Sequence, residues 1–314
     1  MSSLDERQII LLFQKILGNK KFVSEDVETI MVGGKLAVIK TDTLVHSTDV
    51  PPRMKMADIS RKSLVACVSD FASKGVLPSH CLASISFPKT FSKKQIVQMA
   101  RGFKAASDEF GLKVIGGDTN EAMELVISVM MFGVAQKITT RGGARVGDYI
   151  ITSGPFGRTS AGLKIILEGK KSPREFAKVA KNAVYRAAPR LQFGVQASRY
   201  FSSAMDSSDG LSSTLNEMAR QSKKKFTVTK MPHDPMLNRF ARENSLDLLD
   251  LVLNGGEEYE IVATAPQKNL ARLEQIAKRC KTSMYVIGRV QSGKGVFLEG
   301  GTRIKDAGWS HFAR

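Results

Sequence analysis

Cysteine, histidine and tryptophan are scarce in this 314-residue chain, and the scarcity removes several classes of function. Cys67, Cys81 and Cys280 are odd in number and contain no C-x-x-C, which argues against a disulfide framework and fits reduced thiols in a cytoplasm. His46, His80, His233 and His311 are scattered, without an H-E-x-x-H or a zinc-like spacing. No apolar run reaches the ~20 residues of a membrane span. MSSLDERQII opens with acids where a signal peptide carries bases, so a soluble, cytoplasmic protein is expected. G-x-S-x-G, G-x-G-x-x-G, H-R-D and D-F-G are all missing, which leaves no nucleophile elbow, dinucleotide fingerprint or protein-kinase signature.

Acids are also outnumbered: 30 Asp and Glu against 47 Lys and Arg give a formal charge of +17. Such an excess invites a nucleic-acid partner. The bases are dispersed, however, and Lys223-Lys224-Lys225 has one aromatic beside it, Phe226, so a solvated basic surface is expected and nucleic acid is disfavoured. That surface would still attract anionic nucleotides.

What is present is a set of apolar stretches that run into carboxylates. Leu112–Asn120 (LKVIGGDTN) is a β-forming run that breaks at Gly116-Gly117 and places Asp118 at its end. Leu36–Lys40 runs into Thr41-Asp42, and Ser203–Met205 into Asp206-Ser207-Ser208-Asp209-Gly210. The repetition predicts strand ends converging on one polar site, and gathered carboxylates repel one another unless a cation lies among them. Hard oxygen donors with no nucleophile or evident base point to Mg²⁺ and to phosphoryl transfer. Plainer readings stand beside these: Asp118 as a turn former, Asp209 as the N-cap of a following helix, and Asp70 as an exposed helix acid. Gly154–Gly157 reads as an ordinary strand-to-helix turn, because no Lys-Ser or Lys-Thr follows.

Along the chain, Ser3–Glu6 reads as a capping box for a first helix that Gly18 closes, and Met56–Gly75 as a second helix carrying Asp70. Cys81–Phe87 reads as a strand. Ser92–Gln95 is a further capping box, with Phe91 and Ile96 as its hydrophobic staple, for a helix ending at Gly111. A strand at Leu125–Ala135 completes an alternating α/β first half. The Gly- and Arg-rich 140–148 is the expected boundary, giving domains of 1–145 and 146–314. Beyond it come strands near 149–153, 225–230, 259–265 and 283–290, helices between them, and a hairpin near 296–304.

Taken in order, KTDTLV (40–45), VSDFASKG (68–75), IGGDTN (115–120), TRGGARVGD (140–148), DSSDGL (206–211), NGGEEYE (254–260) and GWSHF (308–312) resemble the thiamine-monophosphate kinase family. That family sits in a larger group with aminoimidazole-ribonucleotide synthetase, selenophosphate synthetase and a hydrogenase-maturation protein. The resemblance implies an α/β (α+β) two-domain fold, with N-terminal sheets of two copies joined as a dimeric barrel and ATP bound near the interface. It implies Mg²⁺- and ATP-dependent phosphorylation of thiamine monophosphate to thiamine diphosphate by a homodimer. Carried over by position, Asp26, Thr41, Asp42, Asp70, Asp118, Asp206 and Asp209 would hold Mg²⁺, with Lys40 at a ligand position. Gly117, Asp118, Arg141 and Ser208 would contact ATP, and Asp49, Glu257 and Trp309 would contact thiamine monophosphate. Asp42, Asp118 and Asp209 would form the catalytic centre. Trp309 would stack on a cationic thiamine ring, or else be a C-terminal core residue.

This chain departs from the family pattern at three places: Ser24-Glu25-Asp26 for Gly-Asp-Asp, Asp49-Val50 for His-Phe, and Glu257-Glu258-Tyr259 for Glu-Asp-Tyr. Two rival functions remain at this point, an ATP-dependent synthetase of the same group with another substrate and a basic nucleic-acid-binding protein on this fold.

Overall fold

The computed structural model describes residues 4–20 and 22–310. The first helix, α1 (Glu6–Ile16), is capped by Asp5, whose side chain accepts from the Gln8 amide while the Gln8 side chain reaches back to the Asp5 amide. The expected box began at Ser3, which lies outside the described residues, so the cap sits two residues later than read. A hairpin follows, β1 (Glu28–Val32) and β2 (Lys35–Val45), turning on Gly33-Gly34 with φ of 56° and 76°. Two consecutive positive φ values are what a two-residue primed turn requires. The sequence reading missed β1 because all five of its residues are exposed and no polar–apolar alternation marks it.

The first half continues with α2 (His46–Asp49), α3 (Met56–Lys74), β3 (Pro78–Phe87), α4 (Lys93–Phe110), β4 (Lys113–Glu121) and β5 (Val126–Ala135). Ser92 and Gln95 form the expected capping box of α4. The strands make one sheet in the order β1-β2-β5-β3-β4, with β3 and β4 its only parallel pair. Two expectations fail here. β2 runs past Thr41-Asp42 to Val45, and β4 runs through Gly116-Gly117 to Glu121, so neither set of acids lies at a strand end. The paired glycines shift the β3–β4 register, between Cys81 and Leu82, instead of breaking the strand.

The second half holds β6 (Tyr149–Thr152), α5 (Arg158–Leu167), α6 (Arg174–Tyr185), α7 (Leu191–Ala197), β7 (Ser203–Ser207), α8 (Leu211–Ser222), β8 (Lys225–Val228), α9 (Pro235–Glu243), α10 (Leu248–Leu253), β9 (Glu260–Ala265), α11 (Gln267–Arg279), β10 (Tyr285–Gln291) and β11 (Gly295–Leu298). Its sheet order is β11-β8-β10-β6-β9-β7. The six residues of α10, capped by Asp247, are too few to show a helical period and were not anticipated.

α3 joins the two halves. Fifteen of its nineteen residues are buried, which marks a central helix and not a surface one. One continuous core includes Val38, Phe71 and Val129 from the first half and Ile151, Phe193 and Ile261 from the second. Among the described residues no helix is long and apolar enough to cross a membrane.

Candidate active site

Strand alternation decides which acids meet. Along β2, Val38, Lys40, Asp42 and Leu44 share the face turned toward α3, where Val38 and Leu44 are buried. On α3, Asp70 meets Lys40, with Nζ 2.9 Å from Asp70 Oδ2. Asp26 arrives from the chain just before β1 and Asp206 from β7. Oxygens of Asp26, Asp70 and Asp206 all lie within 4.8 Å of one another, and all three residues are buried. Three carboxylates from separate elements of both halves thus share one seam, and hard oxygen donors at that spacing fit a divalent ion such as Mg²⁺.

The protein also supplies cations of its own, which the sequence reading did not anticipate. Lys74 Nζ lies 2.7 Å from Glu25 and 2.7 Å from Asp26. Arg141 Nε donates to Asp26 Oδ1 at 2.7 Å and Nη1 to Ser24 Oγ at 3.2 Å, so its guanidinium faces Asp26. The Lys40 ammonium is an ion-pair partner of Asp70: burial opposes its charge, but Asp70 and Asp42 more than offset this and hold its pKa above the ordinary value. Burial would raise the Asp26 carboxyl, yet Lys74 and Arg141 bring it down to about 2. Asp206 has Ser69 Oγ at 2.8 Å, and burial followed by the charge of Asp26 pushes it up to about 6.

Asp118 does not join this cluster. The register pairs it with Ser84, Ser84 with Ser128 and Ser128 with Thr43, which places it on the face opposite Asp42. Thr41 has the same outward orientation and is exposed. The expected convergence of Asp42, Asp118 and Asp206 is therefore corrected for Asp118, because β4 continues through its glycines and alternation turns the side chain outward.

The 254–260 turn completes the seam. Glu257 and Tyr259 adopt left-handed backbone with φ of 62° and 52°, an uncommon state for side chains of their size. That geometry sends alternate side chains to opposite sides. Glu257 reaches Lys62 on α3 at 2.6 Å, and Lys62 also donates to the Asp49 carbonyl at 2.5 Å. The Asp49 carboxylate accepts from the Val45 amide at 2.6 Å. Tyr259 is buried between these groups: burial, then the charges of Glu257, Asp42, Asp206 and Asp49, pushes its phenol well above the usual range. Lys62, Lys74 and Tyr259 were missed in sequence because a charged or phenolic residue inside an ordinary period carries no mark of its partners.

The loop after β7 is tied to the same turn. Glu257 and Trp309 donate their amides to the carbonyls of Ser208 and Asp209, at 2.5 and 2.8 Å. Asp209 is not the cap of α8, whose N-cap is Gly210 with no side-chain hydrogen bond. Trp309 is 59% exposed, which rules out the core reading. It borders a cleft of about 370 Å³ lined also by Ser160, Leu163, Lys164, Asp250 and Asn254. His311 and Phe312 lie outside the described residues.

Glu258 points inward and accepts the amides of Gly157 at 2.6 Å and Thr159 at 3.1 Å, satisfying the N-terminus of α5. Burial is the main cause that lifts its pKa from 4.5 to about 7. A raised carboxyl contributes stability that is fully present below the unfolded value and lost as pH rises through the folded one. The loss is roughly 3 kcal/mol between about pH 4.5 and 7. Glu258→Gln keeps the accepting oxygen without the charge. The melting temperature of the variant should gain on the native protein as pH rises from 4 to 8; parallel curves would contradict the assignment.

Comparison with known proteins agrees with the geometry. Residues 24–135 match the family model of the AIR synthase related protein N-terminal domain, and residues 145–301 that of the C-terminal domain. The chain is 50% identical to a thiamine-monophosphate kinase of Nitrosopumilus maritimus, covering 99% of this chain and 100% of that one. It is 31% identical to a thiamine-monophosphate kinase of Pyrococcus horikoshii, covering 99% and 97%. A solved structure described as AaThiL complexed with AMPPCP and TMP superposes with a TM-score of 0.90 at 27% identity, over 99% of this chain and 98% of that one. With its seam carboxylates, its exposed tryptophan and this likeness from end to end, the chain belongs to the thiamine-monophosphate kinase family of AIR synthase related proteins.

Proposed function

We propose that this chain transfers the γ-phosphoryl group of ATP to the phosphate of thiamine monophosphate, giving thiamine diphosphate and ADP, and that it works as a homodimer in the cytoplasm. The observation that carries the reading is the seam itself, where Asp26, Asp70 and Asp206 bring carboxylate oxygens within 4.8 Å of one another, and Lys62 on the same helix α3 holds Glu257. Whole-chain relatives of that name, and a like-folded protein complexed with AMPPCP and TMP, support it.

The chemistry asks little of a general base. A phosphate monoester is largely ionised at neutral pH, so the acceptor oxygen is already a nucleophile, and the obstacle is repulsion between two anions. Mg²⁺ held by Asp42, Asp70, Asp206 and Asp209 would supply the neutralising charge on the transferred group. The protein's own part is to position. Lys62 fixes Glu257 and the Asp49 main chain as one wall, and the strained turn at Glu257 holds that wall against the Ser208–Asp209 loop. Trp309 offers an aromatic face to a cationic thiazolium. Roles for Thr41, Gly117 and Asp118 require approach from the exposed face of the first sheet, where Ile30, Leu82, Met130, Phe132 and Val134 form an apolar surface suited to a second copy. We keep 145/146 as the proposed domain division.

ADP release that depends on added thiamine monophosphate tests the reading. ATP consumption indifferent to it would favour synthetase chemistry on another substrate. Trp309→Ala should raise KM for thiamine monophosphate about 10-fold with kcat little changed, since stacking binds ground and transition states alike. A fall in kcat with KM intact would remove Trp309 from the substrate site.

A further inference from the structure

The seam acids are not neutralised evenly. Lys74 is 1% exposed, and its ammonium has three oxygen partners: Glu25 Oε2 at 2.7 Å, Asp26 Oδ2 at 2.7 Å and the Ala204 carbonyl at 3.0 Å. Two carboxylates and a carbonyl are the donors a hard divalent ion would take. Here the three N–H groups of a lysine fill that place. Arg141 closes the other side of Asp26, and Ser73 Oγ adds a bond at 2.9 Å, so both oxygens of Asp26 are engaged by protein donors.

Asp206 differs. Among the described residues no cationic side chain lies within ion-pair distance of it, and its carboxylate accepts from the Ser69 hydroxyl. Lys40, which pairs with Asp70, has a side chain 24% exposed and an open path to solvent, whereas that of Lys74 has none. Glu25, Asp26, Asp42, Asp70 and Asp206 face three cationic side chains, Lys40, Lys74 and Arg141.

We propose that Lys74 is a resident cation that takes the place of one divalent ion, holding Glu25 and Asp26 neutralised within the protein, so that added metal binds on the Asp42–Asp70–Asp206 side alone. The proposal rests on the phosphotransfer reading of this site and changes Asp26 from a metal ligand to a counter-charge. It also accounts for a departure from the family pattern, since the Glu25 that stands where the family has Asp is the second partner of Lys74.

The test counts Mn²⁺ bound per chain by equilibrium dialysis. Lys74→Ala removes the ammonium and opens its place, and it should bind one Mn²⁺ more than the native protein. An unchanged count overturns the proposal. Asp26→Asn and Asp206→Asn carry the same test if Lys74→Ala does not fold: the first should keep the native count and the second should lose one Mn²⁺. Loss of Mn²⁺ in Asp26→Asn overturns the proposal while leaving the kinase reading intact. Native protein that binds no Mn²⁺ overturns both.

Discussion

Asp42→Asn should lower kcat about 10²- to 10³-fold, the range found when one charge-stabilising group is removed, while moving the melting temperature little. The two effects separate because of where Asp42 stands. It lies on the inner face of β2, partly exposed, between half-buried Lys40 and buried Leu44. Asparagine matches it in volume, so no cavity forms, and partial exposure spares the amide a large desolvation cost. What changes is charge. Asp42 carries a negative charge beside Lys40 and Asp70, and without it a divalent ion on this side of the seam is held more weakly. The Mg²⁺ concentration for half-maximal rate should therefore rise as kcat falls. Steady-state rates against Mg²⁺, beside a thermal melt, check both. A melting temperature that falls in step with activity would make Asp42 a structural residue.

Gly194→Ala should have a large effect on folding. A Cβ built at Gly194 would meet the Ala72 carbonyl oxygen at 2.0 Å and the Ile261 side chain at 2.9 Å, and the first of these is main chain of the central helix α3. The methyl group cannot be absorbed by a rotamer change; α7 and α3 must move apart. Overpacking of this kind costs about 3 kcal/mol or more. For a chain of this size that is a fall of at least ~6 °C in melting temperature. Ala72 sits between Asp70 and Lys74, so residual activity at low temperature should drop as well, because both side chains shift against Asp206. A melt within 1 °C of native would show that the two helices separate freely.

How much of this was legible in the sequence depended on whether the signal was local. The cap of α4 at Ser92 and Gln95, and the end of α3 at Gly75 with φ of 75°, were readable because capping and left-handed termination need particular residues at particular places. Asp206 was readable as a site residue because an apolar strand runs into it and its neighbouring acid and hydroxyls, whereas Asp70, one acid inside a helical period, gained a site role only through the family resemblance. Asp118 was misplaced: a glycine pair signals either a break or a register shift, and strand pairing with β3 decides which. Lys74 is the clearest loss. A lysine in the last turn of a helix reads as a solvated charge complementing the helix dipole, and its burial against Glu25 and Asp26 depends on residues 49 and 48 positions away. The side to which Glu257 and Glu258 point was equally hidden, because it follows from two positive φ values that no residue type in the turn demands.

The central claim is direct phosphoryl transfer, and the label is its most immediate witness. Purified protein would be incubated with ATP labelled at the γ-phosphorus, Mg²⁺ and thiamine monophosphate, and the products separated by chromatography. The account predicts label in thiamine diphosphate, formed in equal amount with unlabelled ADP, with none in free phosphate beyond the background without acceptor. Label released as inorganic phosphate, with no labelled thiamine diphosphate, would contradict it.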